Sequence, residues 1–280
     1  MKKLFKIFAL LLAVLVFSSC EQPVKKEVEK AVEEKSKFSF AILKIGQADA
    51  IIMQTENHSV MIDCGEDDDA QEILEKLAEK GIGELDYLLI THFDKDHVGG
   101  AQEILSNVKT KNIITPDYEG GGKKYKEYAQ KVEELGLTPN RLAEKTEFVL
   151  DGVEFEVYPP EKEVYTESDN DYSLAITVKH GENTFLFAGD AEKERLSEIM
   201  HQTGKEYEFL KVPHHGKYNE MTEAFIKSVT PSYAVITCSD KNPAEQKTVD
   251  VLNAINTETY FTKDGDVTVK SDGKDILITQ

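Results

Sequence analysis

One stretch of the chain indicates most about its fold, and it is Thr91-His92-Phe93-Asp94-Lys95-Asp96-His97-Val98-Gly99-Gly100. It begins where the short apolar segment 86–91 ends, and it leads into residues 98–106, whose apolar spacing predicts a helix. A loop at the end of a strand can direct alternate side chains to one side, and paired glycines let the backbone turn tightly. The stretch is therefore typical of a loop that carries a functional site.

Four side chains of metal-binding types fall within six residues of this loop, and they are His92, Asp94, Asp96 and His97. His92 and Asp94 can face one ion, while the adjacent Asp96 and His97 can reach a second ion beside it. Histidine and aspartate are the usual ligands of Zn²⁺, Mn²⁺ and iron, and paired cations activate water against phosphoryl or carbonyl groups. The alternative is a solvated acidic turn, but such a pattern rarely arises by chance in a chain with 7 His, so we favour metal binding.

Two later segments carry further candidate ligands at strand ends. Phe185-Leu186-Phe187-Ala188-Gly189-Asp190 reads as a buried strand that ends in Gly-Asp. The carboxylate of Asp190 can bridge two cations, or it can cap a helix that begins at Ala191. Leu210-Lys211-Val212-Pro213-His214-His215-Gly216 then places two His at another strand end, which offers one ligand and one proton donor.

The order of the remaining elements predicts the architecture. Strands cluster and then alternate with helices in both halves of the chain, which favours two mixed sheets packed together with helices outside. Hairpins are predicted at residues 148–158, turning at Asp151-Gly152, and around Gly181. Two more turns, at Gly265 and Gly273, are predicted to join the short strands that close the chain. We expect one domain over residues 38–280.

Taken together, these motifs resemble the metallo-β-lactamase superfamily, whose signature is His-x-His-x-Asp-His. Within it they resemble the hydrolase domain of ComEC-type DNA-internalisation proteins, which tend to carry Asp at the second His, as Asp94 does here. The resemblance runs from about residue 38 to the C-terminus. The other matching segments are Ile45-Gly46-Gln47-Ala48-Asp49-Ala50, Met61-Ile62-Asp63-Cys64-Gly65, Asn170-Asp171-Tyr172-Ser173-Leu174, Gly189-Asp190 and Val212-Pro213-His214-His215-Gly216.

The resemblance implies an α/β fold, an αββα sandwich, with two divalent metal ions at one sheet edge. His92 and Asp94 would hold one ion, Asp96 and His97 the other, with Asp190 between them. Three further assignments follow for the remaining motif residues: His214 or His215 completes one ligand shell, Asn170 or Asp171 is a candidate for the third-motif ligand, and Asp96 and His215 serve in catalysis. The oxygen-rich ligand set favours Mn²⁺ or mixed occupancy over Zn²⁺ alone.

Asp49 and Asp63 have two interpretations. Each lies at or just after a strand and can fix a turn by hydrogen bonds, or it can orient a metal-bound His. The chain also departs from the ComEC-type pattern. Lys217 stands where that branch usually has Ser, Ala48 replaces a Gly, and no His follows His215. A proton donor or substrate contact of that branch is therefore absent or replaced.

The N-terminus predicts an export signal. Residues 1–20 combine a basic start, an apolar run and Phe17-Ser18-Ser19-Cys20, which resembles a bacterial lipobox. We predict cleavage before Cys20 and lipidation of its thiol, with an ordinary signal peptide as the alternative. Residues 21–37, rich in Glu and Lys, would form a charged tether. The protein would then be extracytoplasmic, anchored to the cell membrane as a lipoprotein.

Composition limits the function. With 40% hydrophobic residues the chain can build a core, and its 3 Cys cannot form a disulfide scaffold. The net charge of -19 excludes nucleic-acid binding through a globally basic surface. An anionic substrate must be held by metal or by local basic residues. The candidates for that contact are Lys123, Lys124, Lys126 and Lys217.

We therefore expect a phosphodiesterase or nuclease that uses a metal-bound hydroxide outside the cytoplasmic membrane. Nucleic acid is the favoured substrate, with single-stranded DNA as one candidate, and the sequence leaves open whether a separate membrane transporter is a partner. One alternative is a cell-envelope metallo-esterase similar to phosphorylcholine esterases. Another is a binding lipoprotein with a vestigial metal site. The sequence leaves the oligomeric state open.

Overall fold

The computed structural model describes residue 26 and residues 29–165, 169–204 and 206–280. The predicted signal segment and Cys20 lie outside these residues. Residues 29–35, the later part of the predicted tether, are helical and pack against the sheet, where Val32 is buried and Glu33 pairs with Lys270. Within the described ranges, no helix is both long and apolar enough to cross a membrane.

The strands form two sheets. The first has the order β15-β14-β1-β2-β3-β4-β5-β6, and the second has the order β13-β12-β11-β10-β9-β8-β7. The first sheet consists of β1 (Phe38–Ile42), β2 (Ile51–Gln54), β3 (Ser59–Ile62), β4 (Glu84–Leu89), β5 (Lys109–Pro116), β6 (Asn140–Leu142), β14 (Val267–Ser271) and β15 (Ile276–Thr279). The second consists of β7 (Thr146–Leu150), β8 (Val153–Tyr158), β9 (Ala175–His180), β10 (Asn183–Phe187), β11 (Phe209–Lys211), β12 (Tyr233–Ile236) and β13 (Glu258–Phe261).

Helices cover the outer face of each sheet. Amphipathic spacing explains this position, since in the first helix Ile73 and Leu77 are buried while the intervening residues are mostly polar. Besides the helical residues 29–35, the α-helices are α1 (Ala70–Glu79), α2 (Lys95–Val98), α3 (Ala101–Asn107), α4 (Lys123–Glu134), α5 (Lys193–Gln202), α6 (Thr222–Val229) and α7 (Gln246–Ala254). One apolar cluster lies between the sheets and one lies under each helix layer, so the predicted αββα class is confirmed.

Aromatic residues fill the space between the two sheets. The ring centroid of Phe40 on β1 lies 5.1 to 5.4 Å from those of Phe185, Phe187 and Phe209 on the facing sheet. The planes cross at 75 to 87°, the edge-to-face geometry that aromatic pairs prefer. This packing fixes the first sheet against the second, so loops from both sheets meet at one edge.

The closing strands differ from the prediction. The turn at Gly265 does not join a hairpin, because β13 pairs in parallel with β12 while β14 pairs with β1 in the other sheet. The turn at Gly273 does join β14 to β15. Helix α6 and the three-residue strand β6 were not anticipated from the pattern. The two hairpins predicted around Asp151-Gly152 and Gly181 are confirmed.

Candidate metal centre

Five loops that follow strands supply the polar residues of the centre. Asp49 precedes β2, Asp63 follows β3, and the segment with His92, Asp94, Asp96 and His97 follows β4. Asp190 follows β10 of the second sheet, and His214 and His215 follow β11. Backbone hydrogen bonds join the three loops of the first sheet, because Asp49 N donates to Asp96 O and Cys64 N donates to His97 O, and His214 N donates to Gly189 O between the two loops of the second sheet. The site therefore depends on both sheets.

Four residues bring potential ligand atoms within 4.8 Å of one another, namely Asp96, His97, Asp190 and His215. We call them the outer group. Asp190 stands in the middle, with Oδ1 3.3 Å from His97 Nε2 and Oδ2 3.0 Å from His215 Nε2. Asp96 Oδ2 lies 3.5 Å from the same His215 nitrogen. Of the two adjacent histidines, the structure places His215 in this group.

Several buried polar atoms of the centre make no hydrogen bond within the described residues. They are Nε2 of His92, His97 and His215 and Oδ1 of Asp190. Buried polar atoms are nearly always hydrogen bonded in folded proteins, so their convergence needs an explanation. Nitrogen and oxygen atoms that converge in this way are the donor set of a divalent transition-metal ion. The residues of the outer group therefore fit a metal ion.

Asp63 orients the ring of His97. Its Oδ2 lies 2.8 Å from His97 Nδ1, so Nε2 of that ring faces Asp190. Thr91 fixes the carboxylate in turn, since its backbone N and its hydroxyl each donate to Asp63 at 2.7 Å. Asp63 adopts a positive φ of 58°, a left-handed conformation that aspartate and asparagine tolerate better than most residues.

His215 is oriented by a second chain of hydrogen bonds. Its Nδ1 lies 2.8 Å from Thr237 Oγ1, and that hydroxyl donates to Asp49 Oδ1 at 2.7 Å. His214 and His215 both have left-handed φ angles, 49° and 52°. Strained backbone of this kind persists where the surrounding structure enforces it and is concentrated at functional sites. It turns the two adjacent rings in different directions.

His92 and Asp94 stand beside the outer group. The ring centroid of His92 is 4.1 Å from that of His97, and its Nε2 lies 4.0 Å from Asp94 Oδ2. Burial, followed by the neighbouring charge of His97, lowers the pKa of His92 to about 3, so its ring is the neutral imidazole that a metal requires. Asp94 is the exposed member, with 48% of its side chain accessible.

His214 and the two candidate third-motif residues, Asn170 and Asp171, lie in the part of the centre that the second sheet contributes. His214 Nδ1 is 2.8 Å from Glu192 Oε1, and its Nε2 is 3.9 Å from Asp190 Oδ2. Asn170 Nδ2 lies 3.3 Å from the same His214 nitrogen. Asp171 has a different position, because its Oδ1 accepts the backbone N–H groups of Glu192 and Arg195 at the start of α5. Of the two, only Asn170 contacts the histidine pair.

The sequence interpretation missed Lys211, Thr91, Thr237 and Glu192. Lys211 is 1% exposed, and its ammonium pairs with Asp49. The available signal was a charged residue inside an apolar strand, three positions before His214. The threonines and Glu192 had no comparable signal, since only the folded chain brings them to the histidines.

The centre is a network of opposed charges in the absence of metal. Burial opposes protonation of His97, but the charges of Asp190 and Asp63 outweigh it and raise the pKa well above its usual value. His215 shows the same balance, with Asp190 as its main partner, and its pKa is also raised. For Asp190, burial opposes the charges of both histidines, which win and lower its pKa. A metal ion therefore competes with protons for these histidines.

The lysines proposed for substrate binding have different surroundings. Lys124 pairs with Asp67 and Glu127, and Lys123 pairs with Glu127, so these charges are partly compensated. Both line a cavity of about 370 Å³ that reaches Asp94, whereas Lys126 is an exposed residue outside its lining. Lys217 Nζ lies 2.7 Å from His214 Nε2, which makes it the lysine of this set nearest the metal centre.

The tyrosines near this cavity pack mainly against protein. Tyr118 stacks on Tyr172 with centroids 4.0 Å apart and accepts a hydrogen bond from Phe93 N. Tyr128 is buried. These rings are therefore occupied by contacts within the protein, and Phe93 and the glycines of residues 120–122 form the apolar wall of the cavity.

The αββα sandwich and its histidine–aspartate centre define a metal-dependent hydrolase. Residues 43–239 match the family model of the metallo-beta-lactamase superfamily, and the chain belongs to that superfamily. The crystal structure of the metallo-beta-lactamase fold protein YhfI from Bacillus subtilis superposes with a TM-score of 0.56, at 11% identity, over 84% of this chain and 100% of that one. Igni18, a metallo hydrolase from Ignicoccus hospitalis, gives a TM-score of 0.54 at 15% identity, over 87% and 99%.

Sequence relatives include proteins named for competence. Recombination protein 2 of Haemophilus influenzae is 28% identical over 85% of this chain and 27% of its own length. ComE operon protein 3 of Bacillus subtilis is 30% identical over 59% of this chain and 21% of its length. Competence protein ComA of Neisseria gonorrhoeae is 26% identical over 75% and 28%. The predicted resemblance is confirmed, and the chain spans about a quarter of the length of these relatives.

Proposed function

We propose that this protein is a metal-dependent phosphodiesterase that cleaves nucleic acid outside the cytoplasmic membrane. The observation that carries the proposal is the outer group, in which the buried atoms His97 Nε2, His215 Nε2 and Asp190 Oδ1 converge without a hydrogen-bond partner among the described residues. The relatives named for competence and recombination support a nucleic-acid substrate.

Asp96, His97, Asp190 and His215 would hold one divalent cation, and His92 and Asp94 offer ligands for a second near the mouth. When bound, such cations polarise a phosphoryl oxygen and offset the negative charge that develops during hydrolysis. Carboxylate oxygens are at least as numerous as imidazole nitrogens among these six residues. This composition favours Mn²⁺, or a mixture of Mn²⁺ and Zn²⁺.

The residues around His214 would bind the phosphate group. The contact between His214 Nδ1 and Glu192 is satisfied when Nδ1 carries the proton, which leaves Nε2 to accept from Lys217 Nζ. Asn170 Nδ2 points to the same place. An ammonium and an amide beside Asp190 suit a non-bridging phosphate oxygen, so Lys217 would replace the Ser contact of related proteins. The cavity beyond Asp94 would hold the adjoining nucleotide.

We also propose where the protein works. Lipidation of Cys20 would hold the domain at the outer face of the membrane. A separate membrane transporter is a candidate partner at that location. Detection of acylated Cys20 by mass spectrometry of the protein from membranes tests the anchor.

The function is tested with purified protein supplied with Mn²⁺ or Zn²⁺. Three substrates separate the reaction classes. Labelled single-stranded DNA and bis-(p-nitrophenyl) phosphate are phosphodiesters, and a hydroxyacyl thioester of glutathione has a carbonyl group as the site of attack. Asp190→Asn removes the central carboxylate, and Asp68→Asn, an exposed acidic residue, is the matched control. Cleavage of DNA and of the small diester, lost in Asp190→Asn alone, supports the proposal.

Other outcomes point elsewhere. Cleavage of the small diester without DNA indicates an envelope substrate and a metallo-esterase. Cleavage of the thioester alone indicates a thioester hydrolase. Metal-loaded protein that cleaves none of the three contradicts the proposal and favours a binding lipoprotein.

A further inference from the structure

Lys211 is the last residue of β11, and its side chain is 1% exposed. Lysine is almost never buried to this degree unless a carboxylate compensates its charge. Its Nζ atom forms an ion pair with Asp49 Oδ2 and lies 3.9 Å from Asp190 Oδ1. The ammonium group therefore sits between the central carboxylate of the outer group and a carboxylate behind it.

A second set of potential ligands lies behind the outer group. Asp49, Asp63 and His97 have ligand atoms within 4.8 Å of one another, and all three side chains are buried. We call them the inner group. His97 belongs to both groups, with Nδ1 facing Asp63 and Nε2 facing Asp190. Two buried carboxylates beside an imidazole attract a cation.

We propose that Lys211 fills the inner group with the protein's own cation and thereby confines divalent metal to the outer group. An ammonium at this position neutralises Asp49 and repels a second cation nearby, because two positive charges a few ångströms apart interact strongly in a buried site. His97 Nδ1 is then kept for Asp63, and its Nε2 is the nitrogen offered to metal.

The ion pair also steadies His215. Lys211 holds one oxygen of Asp49, and the other accepts the hydroxyl of Thr237, which contacts His215 Nδ1. Loss of the ammonium would release Asp49 from this arrangement and make it available as a ligand. A loss of stability and the gain of an additional metal site can be told apart, because only the additional site would let added Mn²⁺ restore the Tm of the variant.

The test replaces Lys211 by Met, which keeps an unbranched side chain and removes the charge. Bound Mn²⁺ is counted by elemental analysis after equilibrium dialysis, and the Tm is measured in EDTA and in Mn²⁺. We expect Lys211→Met to bind one more Mn²⁺ per chain than the wild type. Its Tm in EDTA should fall by about 10 °C, since breaking a buried ion pair is strongly destabilising. Added Mn²⁺ should recover at least half of that loss.

Two further variants serve as controls. The double variant Asp49→Asn/Lys211→Met removes both charges, so it should bind the wild-type number of Mn²⁺ ions and regain most of the lost Tm. Lys179→Met, at an exposed position on β9, should change neither quantity. Metal counts are independent of hydrolysis, so failure of the phosphodiesterase proposal would leave these expectations unchanged.

A purely structural role gives a different result. Lys211→Met would then lose Tm, bind the wild-type number of ions and gain no more from Mn²⁺ than the wild type does, and the proposal would be overturned. If Lys211→Met does not fold, Asp49→Asn alone decides. The ammonium then loses its main partner and turns to Asp190, so Mn²⁺ affinity should fall about tenfold. Unchanged affinity in that variant overturns the proposal.

Discussion

Replacing Asp63 with Asn should weaken metal binding without unfolding the protein. Asp63 accepts hydrogen bonds from the backbone and hydroxyl of Thr91 and contacts His97 Nδ1 at 2.8 Å. The amide oxygen of Asn can keep the bond from Thr91 N. Its NH₂ group would then face His97 Nδ1, where the native protein has an acceptor. His97 must move its proton to Nε2 to accept that bond, and the nitrogen facing Asp190 loses its lone pair.

The size of the effect follows from this change of tautomer. Substitution of a carboxylate that orients a metal-binding His costs about 10- to 100-fold in affinity, or roughly 1.4 to 2.7 kcal/mol. The backbone should not add to this, because Asn tolerates the left-handed φ of 58° at position 63. Ala at the same position would add about 1 to 2 kcal/mol of backbone strain, so Asn is the sharper probe.

The assay is a Mn²⁺ titration by calorimetry at pH 7.5, with circular dichroism to verify the fold. Asp86→Asn is the control, because Asp86 is also a nearly buried carboxylate that accepts a backbone N–H, from Ser59, but it lies outside both candidate metal groups. We expect the Asp86 variant to bind Mn²⁺ as the wild type does. A folded Asp63→Asn protein with a Kd within twofold of the wild type would refute the tautomer reasoning.

The remaining predictions concern the helix cap, the core, the thiols and pH. Asp171→Asn should destabilise the protein by about 1 kcal/mol in urea unfolding and leave Mn²⁺ affinity unchanged, because its carboxylate holds the first turn of α5; a large loss of affinity would show that it is a ligand. Phe40→Ala should cost roughly 3 to 5 kcal/mol in the same assay, since its ring fills the space between the sheets; a smaller loss would mean that the sheets close over the gap. Burial raises the pKa of the Cys64 and Cys238 thiols, so neither thiol should react with iodoacetamide in native protein at pH 8. Both should react in urea, and peptide mass spectrometry would detect the alkylated residues. Mn²⁺ affinity should rise from pH 6 to pH 8, because the raised pKa of His97 keeps its ring protonated in the metal-free protein and the ion must displace that proton. Calorimetry in buffers of different ionisation enthalpy should detect the released proton. A Kd that does not change with pH would contradict this prediction.

Local sequence determined which four candidate ligands lie together after β4, and it located several of the elements. His92, Asp94, Asp96 and His97 are so close in the chain that any strand–turn–helix geometry brings them together. Alternating and helical apolar patterns depend on the same short distances, and they located both hairpins and the helix α3. The αββα class followed from the order of these elements and from the resemblance of the motifs.

Tertiary structure alone decided how the centre is completed. Thr237 donates to Asp49 across 188 positions of sequence, and Lys211 meets Asp49 from the other sheet. The left-handed backbone at residues 214 and 215 selects His215 for the outer group, a choice that two identical side chains in sequence cannot reveal. Such contacts depend on the packing of β1 against the second sheet, and no short-range pattern in the chain records which strand ends that packing brings face to face.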